Sequence, residues 1–443
     1  MTDNNAFTNL KALYHTFGCK LNFAETSTIA RQLAEKGIRR VSGGETPDIV
    51  VVNTCSVTEL ADKKCRQTIR SFHKRYPEAD IMVTGCYAQL KSEEVASLPG
   101  VAVVAGADKK LEIDEYITRF LEERMPVVDA IPAKDIREFH GSCERGDRTR
   151  YFLKVQDGCD CWCTYCTIPM ARGRSRSGTI AEMVEQAERA AAEGGKEIVL
   201  TGVNIGDFGK GREDNFFDLI QALDRVEGIE RYRISSIEPD LLTDDIIRWV
   251  ARDSRAFMPH FHIPLQCGSD EVLKLMRRRY DTELFRHKIE LIKAEMPHAF
   301  IGVDLITGAR GESPELFEVS RAFVDSLPIS RLHVFPYSER PSTKALSIDG
   351  VVSQRDKHLR TNVMLRLSER KWSEFANQFI GQTRPVLLEH PQGRGKPMAG
   401  FTDNYLRVEV DGATASLDNQ IVPVLITAVH PETETLTGTL AQS

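Results

Sequence analysis

At 443 residues the chain is too long for one ordinary hydrophobic core, so two to four domains are expected. Its 41% hydrophobic and 28% charged residues exclude a disordered or fibrous protein, and no apolar run reaches the eighteen or so residues of a membrane span. A net charge of −6 excludes nucleic-acid binding by bulk field and leaves only local basic patches, while ten cysteines behind an N-terminus without an export signal point to a reducing, cytoplasmic setting in which thiols serve metals.

Residues 10–17 are expected as a strand, followed by Gly18-Cys19-Lys20-Leu21-Asn22 and a helix over 23–35. The run DIVVVN at 48–53 is continuously apolar, the mark of a buried parallel strand, and ends in Thr54-Cys55-Ser56 before a helix reaching about 76. DIMVT at 80–84 ends in Gly85-Cys86-Tyr87, and a strand at 101–105 with a helix near 111–123 completes the alternation. Strand, turn and helix repeated this way predict a doubly wound α/β domain over residues 1–140. Cys19, Cys55 and Cys86 each follow the C-terminal end of a predicted strand, and in such sheets those ends share one ligand-binding edge. The three thiols are expected to converge there; the alternative is three structural core cysteines. Cys65, inside a predicted helix, and Cys143 are expected to be structural.

Residues 141–150 (GSCERGDRTR) are polar and without period, so an interdomain linker is expected. Residues 151–156 (YFLKVQ) open a second domain as a strand, and from its end hangs Cys159-Asp160-Cys161-Trp162-Cys163-Thr164-Tyr165-Cys166. Cys159, Cys163 and Cys166 form a C-x3-C-x2-C triad. Three thiolates this close can hold three irons of a [4Fe–4S] cubane and leave the fourth open to a small molecule. A zinc site usually closes all four positions with two separated pairs, and ferredoxin runs saturate their clusters. A structural zinc knot is the alternative, and Cys161 fits no slot of the triad. At this loop the chain resembles the radical S-adenosylmethionine (radical SAM) superfamily, which implies that the open iron chelates the amino and carboxylate groups of SAM.

Further βα units follow, with helices at 180–193, 216–226, 242–252, 284–295 and 314–327 and strands at 197–201, 232–236, 260–263, 300–306 and 331–335. Six parallel strands over 141–375 match the partial (βα)6 barrel the superfamily implies, with its site at the C-terminal strand ends. There Gly202 lets a ligand approach the backbone. Tyr165, Asn204, Glu238 and Gln266 are expected to bind the cofactor, the alternative for the polar ones being helix caps. Arg172, Arg174 and Arg176, and a second basic run at 277–279, are expected either as solvated surface or as grips for phosphate.

A helix over 354–380 with Leu365, Trp372, Phe375 and Phe379 on one face leads to short strands at 383–390, 405–410 and 421–428. Over residues 376–443 this predicts a small five-stranded β-barrel that resembles the RNA-binding TRAM domain. Its four basic residues (Arg384, Arg394, Lys396, Arg407) face seven acidic ones, so any binding needs a local face.

Cys19, Cys55 and Cys86, the barrel triad and the terminal barrel together resemble the radical SAM methylthiotransferase family. The resemblance implies two [4Fe–4S] clusters as metal sites, SAM as cofactor, the tRNA anticodon stem-loop as partner and a flavodoxin or ferredoxin as electron donor. Thr16-Phe17-Gly18-Cys19-Lys20-Leu21-Asn22, Asn53-Thr54-Cys55-Ser56-Val57-Thr58 and Ala171-Arg172-Gly173-Arg174-Ser175-Arg176-Ser177 are most similar to the bacterial branch acting on N6-threonylcarbamoyladenosine. That substituent ends in a carboxylate, for which Arg172 is the expected catalytic-site partner. Gly308-Ala309-Arg310-Gly311-Glu312 departs from the family's Gly-Phe-Pro-Gly-Glu, and Cys267 stands where serine is usual. The alternatives are the isopentenyladenosine branch, a radical SAM enzyme for a small molecule, and an RNA-binding protein whose clusters are only structural.

Overall fold

Six parallel strands build the first sheet: β1 (Lys11–Thr16), β2 (Arg39–Arg40), β3 (Ile49–Thr54), β4 (Asp80–Gly85), β5 (Val101–Ala105) and β6 (Val127–Asp129), in the order β2-β1-β3-β4-β5-β6. The computed structural model describes residues 7, 9–146, 148–390 and 396–441; Asp147 of the expected linker, Arg394 and the first six residues lie outside them. Every residue of β3 is buried, as its apolar run requires, because helices cover both faces of the sheet. Ile29 and Leu33 of helix Lys20–Glu35 pack on one side, Cys65 and Ile69 of helix Glu59–Arg75 on the other. The strand order reverses between β1 and β3, so the crevice of this doubly wound sheet opens at their carboxyl ends.

The stretch 141–150 is not a linker. β7 (Ser142–Glu144) pairs antiparallel with β8 (Tyr151–Lys154) and buries Ser142 and Cys143 in the second domain. Three residues are too few to show a period, which is why the stretch reads as irregular. A two-residue pair, β9 (Gln156–Asp157) with β10 (Arg176–Ser177), ties the arginine segment to the root of the cysteine loop. β8 continues in parallel with β11 (Glu197–Thr201) and β12 (Arg231–Ile234). β13 (His260–Gln266), β14 (Phe300–Thr307) and β15 (Arg331–Pro336) form a second parallel set, and bridges Tyr232–Phe257 and Ser236–His262 join the two into one six-stranded wall. Helices between the strands start on side-chain caps, with full capping boxes at Thr179–Glu182 and Asn215–Asp218.

The C-terminal strands β16 (Thr383–Glu389), β17 (Met398–Thr402), β18 (Arg407–Asp411), β19 (Ile421–His430) and β20 (Thr435–Leu440) close into a barrel in the order β16-β17-β18-β20-β19. Helix Gln354–Asn377 bridges two cores: Met364 and Leu367 pack on the six-stranded wall, then Trp372, Phe375 and, just past its end, Phe379 plug the small barrel. The buried face therefore shifts along the helix, and Leu365, expected on the apolar face, is 40% exposed. The small barrel is anchored by Arg231 and Arg233, which donate to the carbonyls of Phe401, Pro385, Asp403 and Thr402, while buried Glu197 neutralises Arg233 at 2.7 Å. Among the described residues, no helix is long and apolar enough to cross a membrane.

Candidate active site

Cys19, Cys55 and Cys86 follow β1, β3 and β4, so two of them sit at the point where the strand order reverses. Gly18, at φ +94°, shows how close the loops come: a Cβ there would lie 3.0 Å from both Cβ and Sγ of Cys55. Burial and the neighbouring Cys86 and Cys19 push the Cys55 thiol up to about 11. A buried thiol that resists ionisation, with two more cysteines beside it, suits a polycationic centre that accepts several thiolates at once, as an iron–sulfur cubane does. Cys65 is fully buried, its thiol 3.6 Å from the Cys55 carbonyl, and belongs to the packing.

In the second loop each sulfur of the triad faces a donor. The backbone N–H of Cys161 points to Cys159 Sγ at 3.4 Å, that of Ile168 to Cys166 Sγ at 3.4 Å, and Arg278 Nη1 to Cys163 Sγ at 2.9 Å. Such donors are what anionic cluster sulfurs need. Burial and the adjacent Cys163 push the Cys166 thiol up to about 12. Cys161 sits beside the triad, its thiol hydrogen-bonded to Cys159 and its sulfur 3.9 Å from Asn204 Nδ2. The loop is pinned by Thr164, whose N–H donates to Met276 and whose carbonyl accepts from Ala345.

Within the run at 277–279, Arg278 is turned inward while Arg277 and Arg279 are exposed. Arg278 is buried, ion-paired with Glu238 and 3.4 Å from the Tyr165 hydroxyl; Arg279 donates to the Asp160 carbonyl. Arg278 also reaches the Tyr280 hydroxyl, which donates to the Leu265 carbonyl, so Tyr165 and Glu238 meet around one guanidinium that is tied through Tyr280 to the end of β13. Gln266 itself turns in a left-handed conformation at the end of β13.

Asn204 is 2% exposed, makes no side-chain cap, and its Oδ1 has no partner among the described residues. The helix-cap alternative is thereby excluded for it, and the orphan amide fits a ligand's polar group. Gly202 has no room for a side chain: a Cβ would meet Ile205 at 2.8 Å and Gln156 at 3.0 Å. Gln156 escaped the sequence reading. Fully buried, it accepts from the N–H groups of Val203 and Asn204 and so fixes the turn after β11; its place just before the cysteine loop is the only signal it gave.

The two cysteine sites are neighbours. Thr167, next to Cys166, donates from Oγ1 to the carbonyl of Ser56, next to Cys55, at 3.3 Å. Arg340 reaches across to Asp62 and Ser56, both at 2.8 Å. Arg172 does not face a substrate. It is 2% exposed, with Nη1 on Asp157 (2.9 Å) and Glu25 (3.2 Å) and Nη2 on Asn22 (2.6 Å). Lys110 and Lys154 meet the same Glu25 at 2.5 and 3.0 Å, forming a buried network between the first sheet and the barrel. Burial would raise the Glu25 carboxyl, but Arg172, Lys110 and Lys154 outweigh it and hold it low. Arg176 pairs with Asp157, and Arg174 alone of the three remains on the surface.

A cavity of about 670 Å³ opens between the first sheet, the barrel wall and the C-terminal barrel. Cys19, Lys20 and Gly202 line it on one side, Phe401, Tyr405 and Arg407 on another. His262, Asp304 and His333 form its floor, with His262 Nε2 2.7 Å from Asp304 and ligand atoms of all three within 4.8 Å of one another. Burial and His262 push His333 down to about 4, so its ring is neutral at ordinary pH. The departing loop 308–312 is occupied with itself: Arg310 binds Glu339 and the Leu346 carbonyl, and Glu312 binds Arg360 and the Gly308 N–H. Cys267 is fully buried 3.6 Å from the Ser320 hydroxyl.

Residues 11–106 match the model described as "Uncharacterized protein family UPF0004", and residues 153–324 match the radical SAM superfamily. The threonylcarbamoyladenosine tRNA methylthiotransferase MtaB of Bacillus subtilis is 38% identical over 429 residues, 95% of each chain. Its namesake in Aquifex aeolicus is 34% identical, over 91% of this chain and 97% of the relative. The tRNA-2-methylthio-N(6)-dimethylallyladenosine synthase of Pelotomaculum thermopropionicum is 29% identical over 94% of each. Among solved structures, the radical S-adenosylmethionine methyltransferase TsrM of Kitasatospora setae shares the fold, with a TM-score of 0.55 at 15% identity over 76% of this chain and 77% of that one. With the fold, the triad loop and full-length relatives in agreement, the chain belongs to the radical SAM tRNA methylthiotransferase family.

Proposed function

We propose that this enzyme methylthiolates C2 of N6-threonylcarbamoyladenosine beside the tRNA anticodon, using SAM and two [4Fe–4S] clusters. The observation that carries the substrate is the cavity beside Cys19, whose wall bears Lys20, His262, Asp304, His333 and Arg407. The cations Lys20 and Arg407 suit a substituent ending in a carboxylate, whereas an apolar isopentenyl group would leave the Lys20 ammonium without an anion. Relatives named for the threonylcarbamoyl substrate at 38% and 34% identity, against 29% for the dimethylallyl synthase, support the same choice.

The C–H bond at C2 is unactivated, so acid–base groups of the chain cannot open it. When bound, one cluster supplies the electron that splits SAM into a hydrogen-abstracting radical, and the other supplies the sulfur. The chain's own residues hold and orient. Cys159, Cys163 and Cys166 are the ligands of the first site, with Arg278 donating to the Cys163 sulfur. Gly202, Asn204, Glu238, Gln266 and Tyr165 surround the place of SAM. Cys19, Cys55 and Cys86 are the ligands of the second. In this division residues 1–140 deliver sulfur, 141–375 generate the radical, 376–443 hold the RNA, and a flavodoxin or ferredoxin supplies electrons.

The test is turnover of purified enzyme on anticodon stem-loops carrying threonylcarbamoyladenosine, isopentenyladenosine or plain adenosine. Product on the first alone is expected. Equal turnover on the isopentenyl RNA would assign the enzyme to the other branch.

A further inference from the structure

We infer that Lys20 is the residue that reads the carboxylate of the adenosine's N6 substituent; the assignment rests on the substrate proposed above. With Arg172 fully engaged, the cations available to a substrate are those lining the cavity: Lys20, Arg331 and Arg407. Arg331 is already paired with Glu434. Arg407 opens β18 and also lines an outer recess with Glu389 and Glu409, so it stands at the rim. Lys20 points inward. Its ammonium lies 5.6 Å from the centre of the Tyr405 ring, across from the first sheet, and no carboxylate among the described residues pairs with it. A half-buried ammonium facing an aromatic ring, with no carboxylate beside it, lacks the anion that would complete its shell. An entering carboxylate supplies it.

The position also fits the chemistry. In adenine, C2 and the N6-bearing carbon flank the same ring nitrogen, so a hand on the N6 substituent sets which way C2 faces. Lys20 follows Cys19 directly at the start of helix Lys20–Glu35. Gripping the carboxylate there turns C2 toward the sulfur-delivering cysteines, with His262, Asp304 and His333 beneath for the ureido and hydroxyl groups of the substituent.

The experiment compares wild type, Lys20→Met and Lys20→Arg holoenzymes on two stem-loop RNAs: one with the free threonylcarbamoyl acid and one with its uncharged methyl ester. Both kcat/KM and RNA affinity by fluorescence anisotropy are read. A ratio between two RNAs on one preparation is independent of the fraction of enzyme carrying clusters, so partial loss of iron does not blur it. Wild type should favour the acid by about ten- to a hundredfold. Lys20→Met should lose that preference and Lys20→Arg keep part of it. An unchanged preference in Lys20→Met overturns the role of Lys20 while leaving the substrate reading standing. A wild type that turns over neither RNA but accepts an isopentenyl stem-loop, run alongside as a third substrate, overturns both.

Discussion

Tyr405 shows what the cavity does to a single group. Burial would raise its pKa, but Lys20, Arg150 and Arg233 bring it down to about 8. A phenol whose folded pKa lies below its ordinary value of about 10 stabilises the fold as pH rises from about 8 toward 10, and that contribution is lost as pH falls through 8. Ultraviolet difference spectra of wild type minus Tyr405→Phe, in which iron–sulfur absorption cancels, should show one tyrosinate appearing near pH 8. A midpoint at or above 10 would mean that the three cations do not act on the ring. At this scale the sequence was most legible where chemistry is local. The triad reads from spacing alone, and Asn204 from its place after a strand. Arg172 was misread because its partner Glu25 lies 147 residues away, and nothing in ARGRSRS distinguishes a buried guanidinium from a surface one. Lys20 was visible only as part of a motif, since its isolation from carboxylates is a property of the assembled cavity.

Loops at strand ends carry the two thiol sites, and each loop can be emptied separately. Replacing Cys159, Cys163 and Cys166 together by Ala should leave roughly half of the eight or so irons of a two-cluster protein. Replacing Cys19, Cys55 and Cys86 should spare cleavage of SAM to 5′-deoxyadenosine and abolish C–S bond formation, read by chromatography of the nucleosides. Substituting Cys65, Cys143 or Cys267 by Ser should leave iron content unchanged; iron loss there would show the wrong thiols were chosen. The strands were readable because residues 49–52 of β3, 81–83 of β4 and 198–200 of β11 are buried on both faces and apolar without a break. β2 and β7, of two and three residues, are too short to leave a period. β17 and β20 were hidden by glycine: Gly400 and Gly438 sit where a Cβ would strike the backbone of the neighbouring strand, at 2.1 Å from the Leu387 carbonyl and 2.7 Å from that of Leu425.

Across the whole molecule, the position of one cysteine site against the other depends on charges buried between the domains. Glu25 and Lys110 come from the first sheet's side, Lys154, Asp157 and Arg172 from the barrel's. Deleting one member leaves the others buried and unbalanced, so Glu25→Gln should cost about 3–5 kcal/mol, read as a fall in urea midpoint. A variant of the surface pair Arg31–Glu35 should cost under about 1 kcal/mol, and equal losses would show that the network is not what joins the halves. Such an arrangement constrains ancestry. A lineage that alters Glu25 alone passes through a protein with three cations facing one carboxylate, so the five residues are expected to change together. Grafting a cousin's N-terminal half onto this barrel should succeed only when its own counterparts of Glu25 and Lys110 travel with it. By the same reasoning, altered substrate preference is expected from change at the cavity wall, where a substitution leaves this buried set intact.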